Sequence, residues 1–206
     1  MSGHISIKTR YFLDSQAWRV DDDSEDDLHP LRAKEWRREL KAKRPDIILV
    51  CDHGKGVVNR HLMDAIKHLG IPIYVDPCLK SDWSLFEGVA CVSANQAEWA
   101  SCGEHWYDKI SDSSEMLIRR ADVNGVFYRD GDQLLHIPSI CRSPVDTVGA
   151  GDQFIAVLAC LRADGASWEE SIIQANTAAG IQCERKGIVP VTMEELRPEK
   201  KLELAG

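Results

Sequence analysis

The sequence predicts an α/β fold with a mostly parallel sheet, and three observations carry that prediction. Apolar runs of strand length alternate with amphipathic helical stretches, the clearest pair of runs is apolar throughout, and a glycine-rich turn opens directly into a long apolar helix. A strand covered on both faces loses the apolar/polar alternation of a half-exposed one, so continuous apolar runs separated by helices indicate parallel strands. With 206 residues, 44% hydrophobic and 28% charged, the chain suffices for one domain, residues 1–206, with a real core.

The elements follow in order. Ile5 to Leu13 and Ala17 to Val20 alternate as two short strands. The acidic run from Asp21 to Asp27 has no turn-forming glycine and reads as a solvated linker rather than a cation site. Pro30 opens an amphipathic helix through Lys43, with Leu31, Trp36 and Leu40 on one stripe, and Pro45 ends it. Ile47 to Cys51 is a strand, His61 to Leu69 a helix with Gly70 just beyond, and Ile71 to Val75 a strand again. Val89 to Val92 forms the next strand and leads to Asn95. From Asp112 to Ala121 the pattern fits a helix as well as a strand. Gly125 to Tyr128 and Gln133 to Ile137 flank Asp130-Gly131, a hairpin signature. A helix runs from Ala150 to Ala163, and capping boxes at Ser167 to Glu170 and Thr192 to Glu195 start two more near Trp168 and Met193.

Charge and cysteine usage bound the function. A formal net charge of −8 with no basic cluster argues against a nucleic-acid or acidic-membrane surface and leaves a small molecule as the expected partner. The seven cysteines are scattered without a Cys-x-x-Cys pair, which indicates a reducing, cytoplasmic compartment. No N-terminal stretch has the pattern of a signal peptide, and no apolar run approaches the ~18 residues that span a bilayer. The histidines lack close metal-ligand spacing; His61 and His68 lie two turns apart on an amphipathic helix.

The chemistry concentrates in Asp146-Thr147-Val148-Gly149-Ala150-Gly151-Asp152 and the apolar helix after it. Glycines let the backbone turn sharply and approach a ligand, and the first N–H groups of a helix favour negative charge. A phosphoryl group suits that cradle, with Asp152 as the base that takes the proton of an attacking hydroxyl. The alternative is an ordinary helix start in which Asp146 or Asp152 only caps.

This string resembles the C-terminal signature of the ribokinase-like (PfkB) carbohydrate kinases, Asp-Thr-x-Gly-Ala-Gly-Asp opening a helix. Lys8-Thr9-Arg10, Asp52 to Val57, Val75-Asp76-Pro77, Asn95 to Glu98 and Ala175 to Gly180 follow the order and spacing of that family, most closely the kinase domain of the heptose 7-phosphate kinase / heptose 1-phosphate adenylyltransferase proteins. The resemblance runs from Lys8 to about Glu195. It implies a ribokinase-like three-layer α/β/α fold and ATP-dependent phosphorylation of a sugar or sugar phosphate, with ATP and Mg²⁺ required. It assigns Asp152, with the amides of Gly149, Ala150 and Gly151, to catalysis, and Asn95, Glu98, Asp146, Thr147, Asn176 and Gly180 to the nucleotide. Glu98 would hold Mg²⁺ through water, Asn176 and Gly180 would lie by the adenosine, and Arg10 and Lys55 would contact the substrate. Read from the residues alone, Asn95 with Glu98 also makes a helix cap, Asn176 a solvent-facing helical residue and Lys55 an exposed loop lysine.

The departures shape the expectation. The family's opening portion, with its Gly-Gly sugar-binding signature, has no counterpart here, and Cys78 stands where those kinases carry the Lys of Asp-Pro-Lys, although Lys80 is near. The segment from Glu98 to Gly125 is short, with Arg120 or its neighbour where the family commonly has Thr, so a strand–helix unit is compressed or the adenosine side reshaped. An N-terminally truncated sheet exposes an edge, and the chain is expected to be a homo-oligomer or to pair with a separate chain that supplies the missing portion. Two function classes follow: a sugar or sugar phosphate kinase, or a catalytically incomplete homologue serving as a nucleotide-binding or regulatory module or half of a split kinase.

Overall fold

Ile73 and Val75 face one apolar core while Tyr74, between them, faces another, which is what a strand covered on both sides requires. The computed structural model describes residues 7–13, 16–22, 28–131 and 133–196. Strands β1 (Ile7–Leu13) and β2 (Gln16–Asp22) pair antiparallel, Ile7 opposite Asp22 and Leu13 opposite Gln16. Most of the acidic run after them lies outside the described residues.

The main sheet has the order β3 (Ile48–Cys51), β4 (Ile73–Asp76), β5 (Cys91–Asn95), β6 (Met116–Arg120), β7 (Val126–Asp130), β8 (Gln133–Ile137). Its first four strands are parallel, and the hairpin expected around Asp130-Gly131 adds two antiparallel ones. Helices α1 (Pro30–Lys43), α2 (Arg60–Lys67), α3 (Gln96–Cys102) and α4 (Glu104–Ser113) contribute to the core shared by Ile48, Val50, Val75 and Val92. Helices α5 (Ala150–Ala163) and α6 (Trp168–Cys183) cover the opposite face, packing Phe154, Ile155, Leu158 and Ile172 on Tyr74, Cys91, Met116 and Ile118. The result is the three-layer α/β/α arrangement, with its parallel strands all ending on one side.

Several expectations change in detail. Leu31 is 58% exposed, whereas Trp36 and Leu40 do pack on the core together with buried Ala33, so the buried stripe of α1 is narrower than its apolar spacing suggests. The ambiguous segment from Asp112 resolves as the last turn of α4 followed by β6, because Met116 and Ile118 both enter the core behind α5 when paired in parallel with β5. Helices α3 and α4 with β6 fill the short segment between Glu98 and Gly125. Residues 193–196 form a turn, stapled by Thr192 and Glu195, in place of the start of the last expected helix, whose remainder lies outside the described residues. No helix among the described residues is long and apolar enough to cross a membrane.

Leu158 is fully buried between the sheet and α6. Leu158→Ala is expected to lower the free energy of unfolding by about 2–5 kcal/mol, and Leu31→Ala to change it by less than about 0.5 kcal/mol, as read from urea unfolding curves.

Candidate active site

The Asp146–Asp152 motif forms a tight turn into α5. Gly149 is the residue before the helix, at φ +82°, a left-handed conformation that glycine alone adopts without cost. Having no side chain, it leaves the helix start without the cap that Ser, Asp or Asn would supply. Asp152 follows in the first turn and is exposed. The Asp146 carboxylate is engaged elsewhere: it accepts from the Val148 N–H at 3.0 Å and the Gly187 N–H at 3.2 Å, and so shapes the turn. Buried Gln182 completes that support, donating to the Gly187 carbonyl at 2.7 Å and accepting from the Val189 N–H at 3.1 Å.

Two cavities meet over this turn. The larger, about 350 Å³, is lined by Thr147, Ala150, Gly151, Asn176, Gly180 and Asn95, which brings six residues expected at the nucleotide or the anion cradle around one space. Its further walls include Val123, Val126, Phe154 and Ala179. The smaller, about 280 Å³, holds Asp152 with Gly149, Asp52, His53, Asp76 and Glu98. Asn95, Arg120 and Gly151 line both, so the boundary between the cavities lies at the helix start. Such a position, beyond the carboxyl ends of parallel strands, is where open α/β sheets collect ligands.

The individual residues divide between contact and support. Asn95 and Glu98 form a capping box on α3: Asn95 Oδ1 accepts from the Glu98 N–H at 2.9 Å and Glu98 Oε2 from the Asn95 N–H at 2.7 Å. Glu98 Oε2 also accepts from Arg120 at 3.3 Å, so this one oxygen serves both the α3 cap and the ion pair. Asn176 is buried rather than solvent-facing and donates to the Pro138 carbonyl at 2.8 Å, holding the loop that closes the larger cavity. Gly180 permits close approach of that same loop, since a Cβ there would stand 2.5 Å from Ile140. Lys55 lines neither cavity, and the side chain of Arg10 lies outside the described residues.

Three groups that sequence reading did not assign complete the site. Arg120 Nη2 donates to Asp76 Oδ1 at 2.6 Å, with both side chains about seven-eighths buried. Burial raises the Asp76 carboxyl above the ordinary range and the Arg120 charge opposes that rise. Burial likewise raises Glu98, against the pull of the Asn95 N–H and Arg120. Cys51 Sγ and carboxylate oxygens of Asp76 and Asp152 lie within 4.8 Å of one another, the one such group found among the described residues. Burial, then the charges of Asp76 and Asp152, push the Cys51 thiol up to about 11. It is therefore protonated at neutral pH, and the two carboxylates are the pair suited to a hard cation such as Mg²⁺. Asp76 was legible in Val75-Asp76-Pro77; Arg120 was marked only as a departure, at or beside the position where the resembled family commonly has Thr.

A three-layer α/β/α domain with a glycine cradle beyond its parallel strands is shared by several nucleotide-binding folds, and the solved structures this one superposes on are ribokinase-like kinases. The chain superposes on Escherichia coli phosphofructokinase-2 in complex with potassium with a TM-score of 0.73 at 16% identity, over 92% of this chain and 66% of that one. For Arabidopsis thaliana ribokinase complexed with ribose and ATP the values are 0.65 and 19%, over 89% and 64%. Residues 38–194 match the pfkB family carbohydrate kinase, and the chain belongs to that family. It is 33% identical over 172 residues to the bifunctional protein HldE of Bradyrhizobium diazoefficiens, covering 75% of this chain and 34% of that protein. The chain thus spans about a third of the length of the curated relatives it matches.

Because thiolate is the reactive form, alkylation of Cys51 by iodoacetamide is expected to be slow at pH 7.5 and to climb as pH rises toward about 11. Residue-resolved mass spectrometry, with exposed Cys160 as the internal reference, reads this directly.

Proposed function

We propose that this chain carries out ATP-dependent phosphorylation of a hydroxyl on a sugar or sugar phosphate, with Asp152 as general base. The observation that carries the reading is the meeting of two cavities at Gly151, with the anion cradle on one side and an exposed carboxylate on the other. ATP would place its adenosine between Phe154, Ala179 and Gly180 and its phosphates toward the amides of Gly149 to Asp152. Asp152 takes the acceptor's proton as its oxygen bonds to the γ-phosphorus, while the bond from phosphorus to the ADP oxygen breaks. Mg²⁺, held from the Asp76 side of the smaller cavity, would supply positive charge to the phosphate oxygens and leave Asp152 to take the proton. The resemblance to heptose 7-phosphate kinases and the HldE relative favour an acceptor of the D-glycero-D-manno-heptose 7-phosphate type. Membership of a carbohydrate kinase family and free thiols at all seven cysteines favour a cytoplasmic enzyme.

A second reading, a nucleotide-binding module without turnover, draws on the smaller cavity. Its lining carries Asp52, Asp76, Glu98 and Asp152 against Arg120 and His53, with Cys78 where a lysine is usual, a poor setting for the acceptor's own phosphate. Asp152→Asn separates the two. The kinase reading expects ADP release with heptose 7-phosphate or a simpler sugar, and a fall in kcat of about 10²–10⁴-fold in the variant with nucleotide affinity kept. ATP binding without turnover in the parent favours the module, and undiminished turnover in the variant removes the base assignment.

Association is part of the same proposal. β3 ends the sheet, Leu49 on it is 37% exposed, and an apolar groove of about 330 Å³ beside it is walled by Trp36, Leu40, Val57 and Leu62. An uncovered strand with apolar flanks invites a further strand. Light scattering is expected to find a homo-oligomer, or, once it is added, a complex with a separate chain whose strand pairs with β3; a lasting monomer under both conditions contradicts this.

A further inference from the structure

Arg120 sits at the end of β6, and its guanidinium has two unlike sides. Nη2 is held by Asp76 at 2.6 Å and Glu98 at 3.3 Å. Nη1 is buried with no hydrogen-bond partner and rests on Gly151, where a Cβ would come within 2.6 Å of it. A buried guanidinium nitrogen without an acceptor is unfavourable, and here it also faces the positive end of α5. Two like-signed groups are thus held face to face by carboxylates on the far side. Arg120 and Gly151 line both the nucleotide-side and the acceptor-side cavity, so an anion arriving beside their contact would meet donors from both.

We propose that Arg120 is a catalytic residue that binds the phosphoryl group as it passes from nucleotide to acceptor, with Asp76 and Glu98 positioning its guanidinium. The proposal rests on the kinase reading. Arg120 forms no covalent bond in it: the acceptor oxygen bonds to phosphorus, the bond to the ADP oxygen breaks, and the proton goes to Asp152. The planar fork of arginine holds two carboxylates on one edge while presenting donors on another, which a lysine ammonium cannot reproduce. Gly151 fits the same account, because any side chain there would displace the guanidinium.

The test compares the parent with Arg120→Met and Arg120→Lys, measuring ADP release and, by calorimetry with Mg²⁺, affinity for ADP and for ADP with aluminium fluoride. Arg120→Met is expected to lower kcat by about 10²–10³-fold and to weaken the aluminium fluoride complex at least tenfold, with ADP affinity kept within about threefold. Arg120→Lys is expected to recover little, and added guanidinium to restore part of the Arg120→Met rate. A kcat within about threefold of the parent, or equal losses for both ligands, overturns the proposal while leaving the kinase reading in place. A parent that binds aluminium fluoride with ADP no better than ADP alone, and releases none, ends both. If Arg120→Met does not fold, Arg120→Lys decides: parental preference for the aluminium fluoride complex overturns the assignment, and its loss in a folded variant supports it.

Discussion

The ion pairs of Arg120 with Asp76 and Glu98 are the constraint on which the site depends. Parallel strands bring their carboxyl ends together, and in this chain those ends and the turns after them carry acidic groups: Asp52 after β3, Asp76 in β4 and Glu98 just beyond β5. With Asp152 from α5, four carboxylates surround a cavity of about 280 Å³. Burial above all, and to a smaller degree repulsion between the carboxylates, opposes such a cluster, which is why Asp76 and Glu98 are raised. One guanidinium at the end of β6 offsets that repulsion and, by lying on Gly151, joins the sheet to the start of α5.

Around this contact, polar side chains that look like ligand residues serve as scaffold. Asp52 is buried, accepting from the Gly54 N–H at 2.8 Å and the Ser81 hydroxyl at 2.6 Å, and so sets the glycine loop after β3. Asp146 does the same for the phosphate turn, and Gln182 ties the turn to the loop at Gly187, whose neighbour Ile188 packs on Gly149. Asn176 anchors the wall of the larger cavity at Pro138. A cradle built from backbone amides needs such supports, because its geometry rests on chain conformation and not on side chains of its own.

The acidity of the smaller cavity bears on what enters it. Neutral hydroxyls and a divalent cation suit the part of this cavity walled by the four carboxylates, so a phosphate carried by the acceptor would have to point away from them. The larger cavity has the opposite character, with Val123, Val126, Phe154 and Ala179 among its walls and a helix start at one end. That division suits a planar base and its phosphates on one side and a polyol on the other.

Local pattern determined much of this by itself. The apolar runs of β3 to β5, the Asp130-Gly131 hairpin and the bounds of α1 and α5 follow from burial periodicity, turn chemistry and capping, all short-range in the chain. The glycine turn before Asp152 and six residues of the larger cavity, Asn95, Thr147, Ala150, Gly151, Asn176 and Gly180, were equally legible, because they lie in contiguous motifs. Tertiary structure alone decided the rest: that Leu31 stays outside, that β6 is a strand, that Asp146 and Asn176 hydrogen-bond to distant backbone groups, and that Arg120 reaches Asp76, forty-four positions away. Those outcomes depend on which groups meet across the sheet. A guanidinium without a local partner is indistinguishable in sequence from any surface arginine until parallel pairing brings distant strand ends together.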